Sequence, residues 1–191
     1  MKYAVVTFGC RVNQADSLRI EEDLRARGAE QAPPAHADLV VVNTCSVTSS
    51  ADQGARQTIR RIARDNPAAK IIVTGCYATR SAAEVAALPN VLRVVRNQDK
   101  EGFVERFFGH VGAVDATTAE RFGDGEGSCG SAIEPGVAGR TAFTLRVQTG
   151  CEQTCAYCII PTTRGAGRSN SVPDVLREVE RIAAAGFREE P

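Results

Sequence analysis

Asp38-Leu39-Val40-Val41-Val42-Asn43-Thr44-Cys45 is the stretch from which the fold can be read. An unbroken apolar run rich in β-branched residues predicts a strand buried on both faces, since a strand with one wet face would alternate. After it, Ser49 or Ser50 can cap a long helix that reaches about Asn66 and is ended by Pro67. The same plan stands on either side. Residues 2–8 read as a strand ending at Gly9-Cys10, followed by helical spacing of Ser17, Leu18, Ile20 and Leu24 up to Gly28. Lys70-Ile71-Ile72-Val73-Thr74-Gly75-Cys76 is a third strand, with a helix from Ala82 to Leu88 stopped by Pro89. A fourth strand, Val91 to Val95, leads to a helix from about Asp99 to Phe108. Buried strands alternating with helices predict an α/β domain over residues 1–109, a parallel sheet of about four strands with helices on both faces.

Such sheets bind ligands outside the carboxyl ends of their strands. Cys10, Cys45 and Cys76 each fall just past one of those ends, separated by 35 and 31 residues (45−10 and 76−45). One cysteine there would read as a buried structural thiol. Three at the same topological position, each preceded by Gly or Thr, point to a shared metal centre. Asn13 and Asn43 flank these loops and are read as hydrogen-bonding the sulfurs or, the better reading, as shaping the turns.

From residue 110 to 139 the apolar period is lost and glycine accumulates, which reads as a linker. Cys129 lies in it with no partner at ligand spacing and reads as a bystander thiol. Residues 140–191 begin a second unit. Thr141 to Gln148 is a predicted strand that delivers the chain to Cys151-Glu152-Gln153-Thr154-Cys155-Ala156-Tyr157-Cys158. Three thiolates at C-x3-C-x2-C spacing are too close to pair freely as disulfides and too few to close a tetrahedral zinc site alone. They suit a cubane iron–sulfur cluster, which normally takes four cysteines, so that one iron stays open to a ligand. Ser171 then caps a helix with Pro173 in its first turn and Val175, Leu176, Val179, Ile182 and Ala183 on one face, ending at Gly186. One βα unit cannot close a sheet, so this second domain is expected to be incomplete.

Seven cysteines, an odd number, with no signal-peptide pattern at the N-terminus argue for metal or redox chemistry over a disulfide framework. Formal net charge is +0, so bulk electrostatics give no case for nucleic-acid binding. No apolar run approaches the roughly 18 residues of a membrane span, and a cytoplasmic location is expected. Arg56, Arg60, Arg61 and Arg64 share one helix face and read as a solvated stripe. Arg164 and Arg168, just past the cysteine loop, are the better phosphate candidates.

Taken together, Cys10, Cys45 and Cys76 with the Cys151/Cys155/Cys158 loop resemble the radical SAM methylthiotransferases. The stretches Thr7-Phe8-Gly9-Cys10-Arg11-Val12-Asn13-Gln14, Asn43-Thr44-Cys45-Ser46-Val47-Thr48 and Thr74-Gly75-Cys76-Tyr77-Ala78 resemble the branch that modifies threonylcarbamoyladenosine in tRNA. Thr149, before Gly150, departs from the acidic residue expected there, and Thr162 to Gly167 is only loosely like the family's basic turn. The resemblance implies that residues 140–191 open a TIM-like radical SAM barrel. It implies two [4Fe-4S] clusters, an auxiliary one on Cys10, Cys45 and Cys76 and a radical one on Cys151, Cys155 and Cys158. S-adenosylmethionine would bind the second, with Tyr157 near its adenine or, equally, simply packed. The partners implied are tRNA, an electron donor and a sulfur source. The alternatives are a methylthiotransferase for isopentenyladenosine tRNA or a ribosomal protein, or a zinc or iron–sulfur binding module completed by His36 or His110. An electron-transfer protein normally brings four cysteines per cluster.

Overall fold

The computed structural model describes residues 1–108 and 143–186. The linker with Cys129, His110 and both predicted domain boundaries fall outside them. Seven strands and seven α-helices follow in order among the described residues: β1 (Lys2–Thr7), α1 (Arg11–Ala26), β2 (Glu30–Gln31), β3 (Leu39–Thr44), α2 (Ser49–Asp65), β4 (Lys70–Gly75), α3 (Cys76–Arg80), α4 (Ala82–Ala86), β5 (Val91–Val95), α5 (Phe103–Phe108), β6 (Gln148–Thr149), α6 (Ile160–Arg164), β7 (Arg168–Ser169) and α7 (Val172–Ala184).

The first five strands form one parallel sheet in the order β2-β1-β3-β4-β5. Every residue of β3 is buried, as an unbroken apolar strand requires. Val40 and Val42 face Ala55, Ile59 and Ile62 of α2 together with Tyr77 and Val85. Leu39 and Val41 face Ile20 and Leu24 of α1 and Phe103 and Val104 of α5. This is a doubly wound sheet, with strands in the flavodoxin-like order whose topological switch lies between β1 and β3. No helix among the described residues is long and apolar enough to cross a membrane.

Several expectations shift at the level of single elements. The sheet has five strands where about four were expected. Strand β2 is two exposed residues held by pairing of Lys2 with Glu30 and Tyr3 with Gln31, too short and polar to show a period. The cap of α2 is Thr48, whose Oγ1 accepts from the Ala51 amide at 3.2 Å; Ser49 and Ser50 are already helical. The predicted Ala82–Leu88 helix is the short α4, preceded by α3, which begins at Cys76 itself. The predicted helix from Asp99 is a 3-10 turn over Asn97–Asp99 and then α5, with Gly102 at φ 63° between them.

The largest change lies in the second segment. The strand predicted over 141–148 is limited, in its described part, to β6, which pairs antiparallel with β7. A strand persists only where a neighbour takes its hydrogen bonds, and among the described residues only Arg168–Ser169 does so. Helix α7 forms as expected, with Ser171 Oγ accepting from the Asp174 amide at 3.3 Å, but none of its residues is buried.

Candidate metal centre

The three strand-end cysteines lie along one edge of the sheet. In the ladder Thr7 pairs with Asn43 and Thr44 with Gly75, so Cys45 and Cys76 leave adjacent strands at the same level. Cys10, which caps α1, follows β1 beside them at the topological switch. Two glycines make the close approach possible. A Cβ on Gly9 would lie 2.5 Å from Cys45 Sγ, and one on Gly75 would lie 2.1 Å from the Thr44 carbonyl oxygen. Both take positive φ, 98° and 101°, which a side chain would resist.

Polar side chains tie the loops together. Asn13 is fully buried and donates from Nδ2 to the carbonyls of Phe8 at 2.8 Å and Thr44 at 2.9 Å. Asn43 Nδ2 donates to the Asn13 carbonyl at 2.8 Å and to Ser17 Oγ at 2.9 Å. Both asparagines therefore shape turns, as expected. Thr44 Oγ1 donates to the Thr74 carbonyl at 2.6 Å and accepts from the Ala78 amide at 3.2 Å, joining the Cys45 loop to α3.

All six described cysteines are free thiols; Cys45 and Cys76 are buried and Cys10 is exposed. Among the described residues no three His, Cys, Asp or Glu side chains stand in metal-holding geometry. The donor set still fits a thiolate-ligated iron–sulfur group, because three cysteines and no histidine or carboxylate terminate three adjacent strand ends. His36 is exposed in a 3-10 turn before the amino end of β3, the opposite end of the strand from Cys45, so it does not complete a Cys3His site.

The second cysteine set occupies a surface loop after β6. Gly150, at φ 77°, brings the chain against Ala166, whose carbonyl oxygen would lie 2.1 Å from an added Cβ. The Cys151 amide donates to the Gly165 carbonyl and the Cys158 amide to the Cys155 carbonyl, both at 3.0 Å. Cys155 is exposed and Cys151 and Cys158 are partly so. Tyr157 is 93% exposed, so it packs against nothing substantial in the described protein.

A buried charge cluster that sequence reasoning missed joins the two segments. The Asp16 carboxylate receives Lys100 Nζ at 2.8 Å, Arg146 Nη1 at 2.8 Å and Arg164 Nη2 at 3.3 Å. Arg164 also donates to Asn13 Oδ1 at 2.5 Å, and Lys100 to Asn43 Oδ1 at 3.2 Å. Burial pushes the Asp16 carboxyl up, but Lys100, Arg164 and Arg146 together outweigh it and hold the group below the ordinary carboxylate range. Burial takes the Lys100 ammonium down despite the attraction of Asp16. The signal was present in α1, where Asn13, Asp16, Ser17, Ile20 and Leu24 share the buried face at helical spacing.

This cluster corrects one expectation. Arg164 is buried and engaged with Asp16 and Asn13, so it is not presented to a phosphate, whereas Arg168 is exposed on β7. In the α2 stripe, Arg56 donates to Tyr77 Oη at 3.1 Å and pairs with Glu84 at 3.0 Å, while Arg60 and Arg61 are exposed.

Residues 2–96, which span β1 to β5, match the family described as "Uncharacterized protein family UPF0004". The threonylcarbamoyladenosine tRNA methylthiotransferase MtaB of Bacillus subtilis (strain 168) is 36% identical over 190 residues, 96% of this chain and 41% of that protein. The tRNA-2-methylthio-N(6)-dimethylallyladenosine synthase of Sorangium cellulosum (strain So ce56) is 32% identical over 200 residues, 98% of this chain and 40% of that protein. The ribosomal protein uS12 methylthiotransferase RimO of Roseiflexus sp. (strain RS-1) is 33% identical over 212 residues, 99% of this chain and 44% of that protein. The chain thus spans about two fifths of the length of the curated relatives it matches. Similarity to several methylthiotransferases runs along nearly all of its residues and accords with the α/β sheet and its cysteine edge. Residues 2–96 thus match the UPF0004 family, and the chain is similar to methylthiotransferases along nearly its whole length.

Proposed function

We propose that this protein takes part in methylthiolation of threonylcarbamoyladenosine next to the anticodon of tRNA, in the cytoplasm. Residues 1–109 form the domain for an auxiliary [4Fe-4S] cluster held by Cys10, Cys45 and Cys76. Residues 140–191 open the radical domain, whose [4Fe-4S] cluster is held by Cys151, Cys155 and Cys158. The observation that carries this reading is the pairing of a three-thiol sheet edge with a separate C-x3-C-x2-C loop docked beside it through Arg164. When bound, the clusters and S-adenosylmethionine supply radical sulfur insertion and methylation at a ring carbon whose C–H no side-chain base could ionise.

The chain's own residues bind and position. Gly9 gives room to the Cys45 side chain and Gly75 to the Thr44 backbone, Asn13 and Thr44 fix the cysteine loops, and Tyr157 is free to meet the adenine of S-adenosylmethionine. Arg168 contacts RNA phosphate. An electron donor and a sulfur source act as partners. Residues 1–191 alone do not turn over, since they span two fifths of the relatives' length. Similarity to proteins named for dimethylallyladenosine tRNA and for ribosomal protein uS12 makes those substrates the second reading.

Anaerobic reconstitution should give about eight irons and eight sulfides per chain, as two cubanes require. One zinc and no sulfide would refute it. The substrate is tested by mass spectrometry of tRNA nucleosides from a deletion strain complemented with the full-length gene. Persistence of the 2-methylthio mark on threonylcarbamoyladenosine in the uncomplemented strain would exclude that substrate.

A further inference from the structure

Asn97 opens the 3-10 turn that follows β5. Its Nδ2 lies 3.6 Å from Cys76 Sγ and donates at 2.8 Å to the carbonyl of Thr163 in α6. Its backbone amide donates at 2.9 Å to Thr79 Oγ1, which in turn donates at 2.8 Å to the Gly75 carbonyl. The side chain therefore starts from a point clamped to the Cys76 loop and ends on the second segment. Its orientation is settled by chemistry. A carbonyl oxygen opposite the amide accepts only the NH2 end, and the sulfur lies on that same end. Oδ1, at the other end, is buried with no hydrogen-bond partner. Buried polar atoms are ordinarily satisfied, so this amide is held by its donor end. Asn13 and Asn43 direct their amides elsewhere, to backbone carbonyls and Ser17.

We propose that Asn97 is a positioning residue for the Cys76 thiolate, its amide giving an N–H···S hydrogen bond that raises the reduction potential of the sheet-edge centre. The inference rests on Cys10, Cys45 and Cys76 being cluster ligands. A donor aimed at a ligating sulfur stabilises the electron density that reduction adds, and hydrogen bonds to the sulfurs are among the factors that set cluster potentials. The other N–H holds Thr163, so the docked second segment fixes the angle at which the donor meets the sulfur.

The test uses full-length protein in which Cys151, Cys155 and Cys158 are replaced by Ala, leaving only the edge centre. It is reconstituted anaerobically with iron and sulfide and titrated by EPR-monitored reduction. Asn97→Ala and Asn97→Asp are compared with Asn97 in that background. Both variants should hold as much iron and sulfide as the parent and be reduced at a more negative potential. Asp should lie below Ala, because it loses the donor and brings an acceptor. Asn97→Asp keeps the side chain's size, so it decides the matter if Ala lowers folding. Equal potentials at equal loading, or loss of loading in both variants with the fold retained by circular dichroism, would overturn the proposal. Failure of the Asn97 parent to hold any cluster would instead refute the ligand set on which it rests.

Discussion

Asp16 is the single residue on which most of the buried charge depends. Its side chain is 1% exposed, and three cations from three parts of the chain meet it. Among the described residues, Asp16→Asn leaves Lys100 and Arg164 without their countercharge and Arg146 with Glu101 alone, and removing one member of a buried ion cluster costs about 3–5 kcal/mol. Urea denaturation should show that loss. The pH dependence follows from the lowered carboxyl. An unfolded Asp titrates near pH 3.9 and the folded one below it, so in that interval the unfolded chain binds more protons. The contribution of Asp16 is therefore complete above about pH 4–5 and is lost as the pH falls through the folded value. The wild-type minus Asp16→Asn stability difference should shrink on acidification below pH 4; a difference independent of pH would contradict the assignment. This residue was hard to see in the sequence. Its helix shows an apolar stripe through Ile20 and Leu24, but nothing local says that Asp16 finds partners at positions 100, 146 and 164. The cysteines were legible for the opposite reason, since each stands at a boundary that its own strand announces.

Helix α2 shows how far periodicity carries at the scale of an element. Ala55, Ile59, Ile62 and Ala63 form its buried stripe against Val40 and Val42. Ile59 is fully buried, and truncating such an aliphatic side chain removes its transfer energy and leaves a cavity. Ile59→Ala should cost about 2–5 kcal/mol by denaturant titration, whereas Arg60→Ala, exposed on the other face, should change stability by less than about 0.5 kcal/mol. Strands β3 and β4 were readable because strands buried on both faces leave unbroken apolar runs, and the half-exposed β1 and β5 because β-branched residues crowd them. Strand β2 was not, because two polar residues carry no period and take their conformation from Lys2 and Tyr3. The strand expected over 141–148 failed for a related reason. Its apolar residues gave the right local preference, but a ladder is a property of two strands, and among the described residues only β7 offers the second.

Across the whole molecule, the two described segments are joined chiefly by polar contacts. Arg146 and Arg164 reach Asp16, Asn97 holds Thr163, and Arg181 reaches Glu22 at 3.3 Å. Regions held by few apolar contacts open locally at lower free energy than a packed core. Arg164→Ala should therefore speed amide hydrogen exchange in residues 143–186 while the slow exchange of β3 and β4 is retained. Uniform acceleration in both segments would mean that they unfold as one unit. The sheet edge and the cysteine loop were each readable alone; their union was not, because it depends on pairings that cross more than a hundred residues.

Those separations also set an order in time. The cations that meet Asp16 lie 84, 130 and 148 residues further along the chain. During synthesis the sheet through β5 can close before Arg146 or Arg164 exists, with Asp16 then held by Lys100 alone. At roughly 5–20 residues per second, the 64 residues between Lys100 and Arg164 (164−100) take about 3–13 s to emerge. For that interval the nascent domain carries a carboxylate with one of its three cationic partners beside its unfinished cysteine edge, and the other two arrive only when the second segment leaves the ribosome.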